Sequence, residues 1–349
     1  MRTTWSGLVV GIVLLGAVAC RSGDDDRTDR TDQGAEEAGD ASVEAAGTTG
    51  AAATVEVAPA GEPVGTVTHG TLSFDGAERT YRLYVPRDLP DGPVPLFVGL
   101  HGGLGWGDQF ATTNHIEGLA ESNGFVVAHP DGVPVGEGVG VGTERSAVWN
   151  GGVCCGIAAR NGSDDVGFVA ALIDEIEAQH AIDPDRVFAF GHSNGGIMSY
   201  RLACELADRI AGIGVVAGTL GVDDCDPAEP VSVLHVHGTD DRSLPLAGGV
   251  GADSLAGVAF PPPHEGFDEL ATADGCGPGA PTESVDGDVT TALADGCDAG
   301  TAVAFVTIAG GPHAWPGGTP AVRPRSGPGY AGYDATFEIV SFLLAHPRT

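Results

Sequence analysis

The sequence predicts an α/β fold built on a doubly wound, mostly parallel sheet, and three observations support this. Short, continuous apolar runs recur along the chain, as expected of strands covered on both faces. Segments of helical periodicity lie between those runs. The 349 residues are 42% hydrophobic and include 56 glycines and 23 prolines, which indicates a substantial core divided by many turns.

The first 20 residues are typical of an export signal. Residues 7–19 form an apolar run behind Arg2 that is too short to span a bilayer and has the length of a signal-peptide core. Two processing interpretations stay open. Residues 17–19 (AVA) fit a signal-peptidase site, and together with Cys20 they fit a lipobox ending in a lipidated cysteine. We favour lipidation of Cys20, because a cysteine at the cleavage position is otherwise unexplained, although Ala17 stands where a lipobox usually has leucine. This anchor would be the only contact with a membrane.

Residues 21–65 are acidic, rich in Ala, Gly and Thr, and free of aromatic residues. Such a composition cannot bury enough apolar surface to order itself, so we predict a disordered linker. A single α/β domain is then expected over residues 66–349.

The domain is predicted to begin with an antiparallel hairpin, because Thr66–Phe74 and Thr80–Val85 alternate in polarity around Asp75-Gly76. Buried strands are predicted next at residues 95–100, 125–129, 186–191, 212–217, 231–237 and 302–308. Helices are predicted at residues 165–180, 198–206 and 333–346.

The charge balance excludes one class of partner. There are 48 acidic residues against 16 arginines, no lysine, and a net charge of −32. Nucleic-acid binding needs a basic surface, so we expect no nucleic-acid partner. The acidity favours solubility outside the cell, and we expect a monomer.

Six cysteines follow Cys20, a number that fits three disulfides in an oxidising compartment. We pair Cys276 with Cys297, which bracket one excursion rich in Gly, Asp and Thr. The pairing of Cys154, Cys155, Cys204 and Cys225 stays open. A metal site at Cys154-Cys155 is disfavoured, because no Cys or His lies nearby at ligand spacing.

The motif Gly191-His192-Ser193-Asn194-Gly195 follows a predicted strand and opens a helix, which is the setting of a nucleophile elbow in the α/β-hydrolase fold. Ser193 is the predicted nucleophile. The Asn194 backbone N–H, at a helix N-terminus, is predicted to bind the oxyanion. A GxSxG pattern by itself also arises by chance in a glycine-rich chain. The assignment of Ser193 therefore depends on the predicted strand before the motif and the predicted helix after it.

This fold requires an acid and then a histidine after the serine. Asp241 lies just past the strand 231–237, and we prefer it to Asp240, whose alternative role is loop solvation or turn capping. Among the later histidines, His313 follows a strand in a glycine-rich loop. Asp241 and His313 are therefore predicted to complete the catalytic triad.

Two further features complete the predicted site. Gly103, in the loop after strand 95–100, is predicted to supply the second oxyanion N–H, against the alternative of an ordinary glycine turn. Trp149 and Trp315 flank the motifs and are predicted to line the substrate pocket, with core packing as the alternative.

Seven motifs in this order resemble one family: HGG (101–103), PDG (130–132), WNGGVCCG (149–156), DDVGF (164–168), GHSNGG (191–196), HGTDD (237–241) and GGPHAWPGG (310–318). They resemble the secreted polyhydroxybutyrate depolymerase and feruloyl esterase family, which includes LpqC-like lipoprotein esterases. The resemblance runs from about residue 66 to the end. It implies hydrolysis of small or polymeric carboxylic esters without a cofactor. Pro312 departs from the glycine that many relatives have before the histidine.

The segment Leu244–Cys297 between acid and histidine is expected to form most of a cap over the site. Phe260 and Phe267 are its only aromatic residues, which favours a small aliphatic or hydroxyacyl group. A feruloyl or acetyl xylan esterase is the alternative.

Three rival interpretations are weaker. The first is a metal site formed by His235, His237 and a nearby aspartate. The sequence spacing from these histidines to the aspartates does not match a metal-binding motif, so no metal is expected. A peptidase of the prolyl-oligopeptidase type would usually add a propeller domain. A lipoprotein that binds without catalysis would not need a triad in the required order.

Overall fold

The computed structural model describes residues 55–136, 146–277, 279, 281–319 and 329–349. The predicted export signal, Cys20 and most of the predicted linker lie outside these residues. Among the residues that are described, no helix is long and apolar enough to cross a membrane.

The strands are β1 (Thr66–Phe74), β2 (Ala77–Val85), β3 (Val94–Leu100), β4 (Val126–Pro130), β5 (Val133–Pro134), β6 (Ala147–Val148), β7 (Ile182–His192), β8 (Gly212–Val216), β9 (Ser232–Gly238), β10 (Thr282–Asp286), β11 (Val289–Ala294) and β12 (Val303–Ile308). The helices are α1 (Gly107–Asn114), α2 (Ile116–Asn123), α3 (Gly156–Asn161), α4 (Asp165–Glu177), α5 (Asn194–Glu205), α6 (Pro263–Ala273) and α7 (Ala335–Ala345), with a 3-10 turn at Asp298–Gly300.

Ten strands form one sheet in the order β1-β2-β4-β3-β7-β8-β9-β12-β11-β10. The six from β4 to β12 pair in parallel, and the two strands at each edge are antiparallel. The predicted doubly wound sheet with an N-terminal hairpin is confirmed. Asp75 and Gly76 make the hairpin turn, both at positive φ.

The apolar core lies in two layers, one on each face of the sheet. One layer contains residues of α4, α5 and α6, and the other contains residues of α1, α2 and α7. Strands β3, β8 and β9 are buried along their whole length. This burial on both faces explains why the central strands read as continuous apolar runs.

The segment Leu244–Cys297 differs from its prediction as a cap. Its middle forms α6, whose Phe267 and Leu270 are buried against the sheet. Strands β10 and β11 form a hairpin that extends the sheet edge. The part of the segment next to the Asp241 loop is therefore residues 244–262. Within it, Phe260 packs with Leu244 and with Ile197 of α5. The cap prediction was therefore too broad.

The domain also begins earlier than the predicted boundary at residue 66. The side-chain amide of Asn123 in α2 bonds both backbone groups of Ala58, at 2.8 and 3.0 Å. The Gly61 N–H donates to the Gly118 carbonyl at 2.9 Å. These are contacts of backbone with a helix, which composition alone does not reveal.

Three disulfides are present in the described residues. Cys276 bonds Cys297, as predicted, and joins the end of α6 to the turn before β12. Cys204 bonds Cys225, which ties the end of α5 to the loop after β8. Cys154 bonds its neighbour Cys155.

Candidate active site

Ser193 sits at a sharp turn between the central strand β7 and α5. Its φ of 55° and ψ of −118° lie in a region that L-residues rarely adopt, so the turn must be held by its surroundings. Gly191 and Gly195 allow that close packing. A Cβ on Gly195 would collide with the Leu100 carbonyl, and one on Gly191 would collide with the Gly195 backbone. The GxSxG pattern is therefore a steric requirement of the turn.

The structure brings the three residues of the predicted triad together. His313 Nε2 lies 2.9 Å from Ser193 Oγ, and His313 Nδ1 lies 2.6 Å from Asp241 Oδ2. An ionised carboxylate can only accept, so Nδ1 carries the proton. The Nε2 atom of the neutral ring is then free to accept the serine proton.

Asp241 is 4% exposed, and both of its carboxylate oxygens are occupied. Oδ1 accepts the backbone N–H groups of Ser243 and Leu244, each at 2.8 Å. Oδ2 faces His313 and, at 3.4 Å, His237 Nε2. Burial pushes the pKa of Asp241 upward, but the hydrogen bonds from the two histidines outweigh it and hold the pKa below its usual range.

The acid loop and the histidine loop are fastened to each other. Gly310 N–H donates to Thr239 Oγ1 at 2.8 Å, and Asp240 N–H donates to the Gly311 carbonyl at 3.0 Å. Parallel pairing of β9 with β12 brings the two loops to the same sheet edge. Asp240 itself is exposed and uses its backbone in this contact.

The two predicted oxyanion donors lie side by side. The position of a Cβ on Gly103 would be 3.7 Å from the Asn194 Cβ, and one on Gly102 would be 3.6 Å from the Ser193 Cβ. In the described part of the chain, neither the Gly103 nor the Asn194 backbone N–H donates a hydrogen bond. Both amides are therefore available to a ligand oxygen.

His101 holds the Gly103 loop, a role that the sequence analysis missed. Its Nδ1–H donates to the Gly102 carbonyl at 2.8 Å, and its Nε2 accepts the Gly132 N–H at 3.0 Å. Complete burial lowers the pKa of His101 to about 4, so the ring is neutral near pH 7. Its position directly before two glycines at a strand end is the signal that could have found it.

The structure buries Trp149 completely, which corrects its prediction as pocket lining. Its indole N–H donates to the His101 carbonyl at 3.0 Å. Its backbone N–H and carbonyl bond the side-chain amide of Asn194, at 2.8 and 3.0 Å. Trp149 therefore joins the two loops that carry the predicted oxyanion donors. Next to it, Asn150 N–H donates to Asp165 Oδ2, and Asp165 forms a buried ion pair with Arg79.

Trp315 is likewise 3% exposed and does not line an open pocket. Its indole N–H donates to Thr336 Oγ1 at 2.9 Å, and its ring meets Phe110 edge to face.

His192, next to the serine, packs against the ring of His313 with centroids 5.0 Å apart. Burial, and then the nearby His313, lower the pKa of His192 to about 3, so it adds no positive charge beside His313.

The nitrogens of His235 and His237, the rival metal ligands, are engaged in hydrogen bonds. They bond each other at 3.0 Å, and their outer nitrogens bond Tyr200 and the Leu244 carbonyl. Within the described ranges, no group of three or more His, Cys, Asp or Glu side chains is arranged to hold a metal ion.

Comparisons with known proteins agree on one family. A family model described as "Esterase PHB depolymerase" matches residues 79–259. "Putative esterase NocK" of Nocardia uniformis subsp. tsuyamanensis is 31% identical over 278 residues, 74% of this chain and 77% of that protein. "Feruloyl esterase B" of Piromyces equi is 31% identical over 64% of this chain, which spans 40% of that longer protein. The solved acetyl xylan esterase from Aspergillus awamori shares the fold, with a TM-score of 0.52, 16% identity, and 72% of this chain and 94% of that chain covered.

The adjacent aspartates offer a matched test of the acid. Asp241→Asn is expected to lower kcat/KM for p-nitrophenyl acetate by about 10⁴-fold, because an amide facing His313 Nδ1 no longer fixes its tautomer. Asp240→Asn is the control and is expected to stay within about twofold, because its exposed side chain makes none of these contacts. Steady-state kinetics on both variants would show the reverse ranking if Asp240 were the acid.

Proposed function

Because this chain belongs to the Esterase PHB depolymerase family and is a carboxylic ester hydrolase, we propose that it cleaves esters through an acyl-enzyme intermediate on Ser193. His313 serves as general base and acid, and Asp241 orients it. The pair of hydrogen bonds at 2.9 and 2.6 Å that links the three side chains carries this proposal.

In the first half-reaction, Ser193 Oγ attacks the ester carbonyl carbon while its proton passes to His313 Nε2. The carbonyl oxygen becomes an oxyanion that accepts the N–H groups of Gly103 and Asn194. The bond from carbon to the alkoxy oxygen then breaks, and His313 returns its proton to the leaving alcohol. The acyl group remains on Ser193.

In the second half-reaction, His313 takes a proton from water and the hydroxide attacks the acyl carbon. Collapse of the second oxyanion expels Ser193 Oγ, which regains its proton from His313 and releases the carboxylic acid. Asp241 stays ionised throughout and stabilises the imidazolium. The reaction needs no cofactor.

Replacing the nucleophile tests this mechanism directly. Ser193→Ala is expected to lower kcat for p-nitrophenyl acetate by about four orders of magnitude or more, because no other group can carry the acyl chain. Ser199→Ala, on the helix that follows Ser193, is the control: among the described residues its hydroxyl bonds only the Gly195 carbonyl. Both variants should keep the wild-type circular dichroism spectrum. Retention of more than a tenth of the activity by Ser193→Ala would refute the assignment.

We propose a small aliphatic or hydroxyacyl ester as the substrate. Three aromatic side chains near the site offer little open ring surface: Trp149, Trp315 and Phe260 are 0%, 3% and 6% exposed. A phenolic acyl group would lack a stacking partner among them. The net charge of −32 also disfavours anionic ligands. The alternative, a feruloyl or acetyl xylan ester, is suggested by the names of two of the similar proteins.

A substrate panel separates these alternatives. Methyl esters of acetic to butyric acid and 3-hydroxybutyrate oligomers are expected to give a kcat/KM at least about tenfold above that of methyl ferulate, a difference of about 1.4 kcal/mol in transition-state binding. Free ferulic acid should inhibit weakly. A tenfold preference for methyl ferulate would instead show that an aromatic pocket forms at the site.

We further propose that the enzyme is a monomer outside the cytoplasm, anchored through a lipid on Cys20. The apolar run at residues 7–19 and the cysteine directly after AVA support this. One acyl modification tethers weakly, whereas several acyl chains on one residue hold a protein at the membrane.

Metabolic labelling tests the anchor. Growth with an alkyne fatty acid is expected to label the wild-type protein and shift it to the membrane fraction, whereas Cys20→Ser should be unlabelled. An unlabelled wild-type protein with Cys20 at its mature N-terminus would mean secretion without an anchor.

A further inference from the structure

Three buried polar side chains form a row that leads from α5 to the acid of the site. Tyr200, His235 and His237 are each at most 1% exposed. The Tyr200 hydroxyl lies 2.8 Å from His235 Nδ1, and His235 Nε2 lies 3.0 Å from His237 Nδ1. His237 Nε2 ends the row, 2.8 Å from the Leu244 carbonyl and 3.4 Å from Asp241 Oδ2.

Burying this row costs free energy of folding, because its polar groups lie in apolar surroundings. Phe305 stacks on His235 with ring centroids 4.5 Å apart, and Phe267 packs behind it. A polar group in such surroundings destabilises the fold unless it is hydrogen-bonded, and apolar residues of the same shape would serve packing as well. A functional role in the candidate active site would explain why polar residues occupy these positions.

With both imidazoles neutral, the acceptors at the end of the row fix the direction of every hydrogen bond in it. The Leu244 carbonyl and the Asp241 carboxylate can only accept, so His237 Nε2 must carry a proton. The Nδ1 atom of a neutral His237 then accepts, which requires His235 Nε2–H to donate. His235 Nδ1 in turn accepts the hydroxyl proton of Tyr200. All the donors therefore point toward Asp241.

We propose that His237 is a positioning residue for ester hydrolysis, which orients Asp241 by donating from Nε2 to the Leu244 carbonyl while Nε2 faces Asp241 Oδ2 at 3.4 Å. This inference rests on the proposed role of Asp241. Leu244 is held at both of its backbone groups, because its N–H donates to Asp241 Oδ1 while its carbonyl accepts from His237. These contacts hold the carboxylate where Oδ2 lies 2.6 Å from His313 Nδ1.

The wild-type enzyme provides the first test, and it needs no variant to fold. Nitrogen-15 NMR of histidine-labelled protein at pH 7.5 is expected to show His235 and His237 both protonated at Nε2 and bare at Nδ1. Assignment follows from the signals that disappear in His237→Gln. A His237 ring protonated at Nδ1 and bare at Nε2 would overturn the proposal.

Kinetic variants test the positioning itself. His237→Met removes both nitrogens and is expected to lower kcat about tenfold with KM within about twofold, because the row does not touch substrate. The acid limb of kcat/KM should also move to higher pH, since a carboxylate with one donor fewer attracts the proton on His313 more strongly. His237→Gln restores an N–H donor near the same place and should recover kcat to within about threefold of wild type.

His129→Met is the matched control, because His129 is also a fully buried strand histidine but bonds Asn114, away from the triad. It is expected to lower the melting temperature while leaving kcat and the acid limb unchanged. A folded His237→Met with wild-type kcat would overturn the proposal, as would equal losses in His237→Met and His237→Gln with an unmoved acid limb. These outcomes are independent of Ser193→Ala, whose failure would refute the triad instead.

Discussion

A carboxylate withdrawn from water must have its lone pairs occupied, and the site is arranged around that requirement at Asp241. Two backbone N–H groups and two histidine rings face its oxygens. These donors converge only because β9 and β12 pair in parallel and end together, with Gly238 opposite Ile308. The topology of the sheet therefore determines where the acid can stay ionised, and the acid in turn determines where His313 lies.

Ser193, the proposed nucleophile, depends on a second constraint, close backbone packing. Ser193 keeps an unfavourable φ because Gly195 lies against the Leu100 carbonyl and the Ser193 N–H is bonded to Val216. The same contact brings the end of β3, and with it Gly103, beside the helix that begins at Asn194. This one close contact thus positions both the half-buried Ser193 and the predicted oxyanion donors, so loosening it would displace both.

Much of this was predictable from the sequence, for identifiable reasons. Strands buried on both faces read as continuous apolar runs, and the elbow glycines are sterically obligatory. Strands β10 and β11 were missed because they lie at the sheet edge, where Thr282–Asp286 is wholly exposed and carries no apolar pattern. Helices α1 and α2 were missed because they are short and separated by His115 in a left-handed conformation. Trp149 and Trp315 could not be assigned, because a tryptophan beside a motif looks the same in sequence whether it lines a pocket or supports a loop.

The charge states of the histidines near the site follow from how strongly burial disfavours the protonated form of each imidazole. Burial lowers the pKa of His101 to about 4 and that of His192 to about 3, and it lowers the pKa of His235 well below its usual value. These rings stay neutral near pH 7 and act as fixed donors and acceptors. His313 differs in donating to a carboxylate, at 2.6 Å. A positive charge that forms on His313 therefore meets a compensating negative charge and no competing cation among those three histidines, as its proposed role of general base requires.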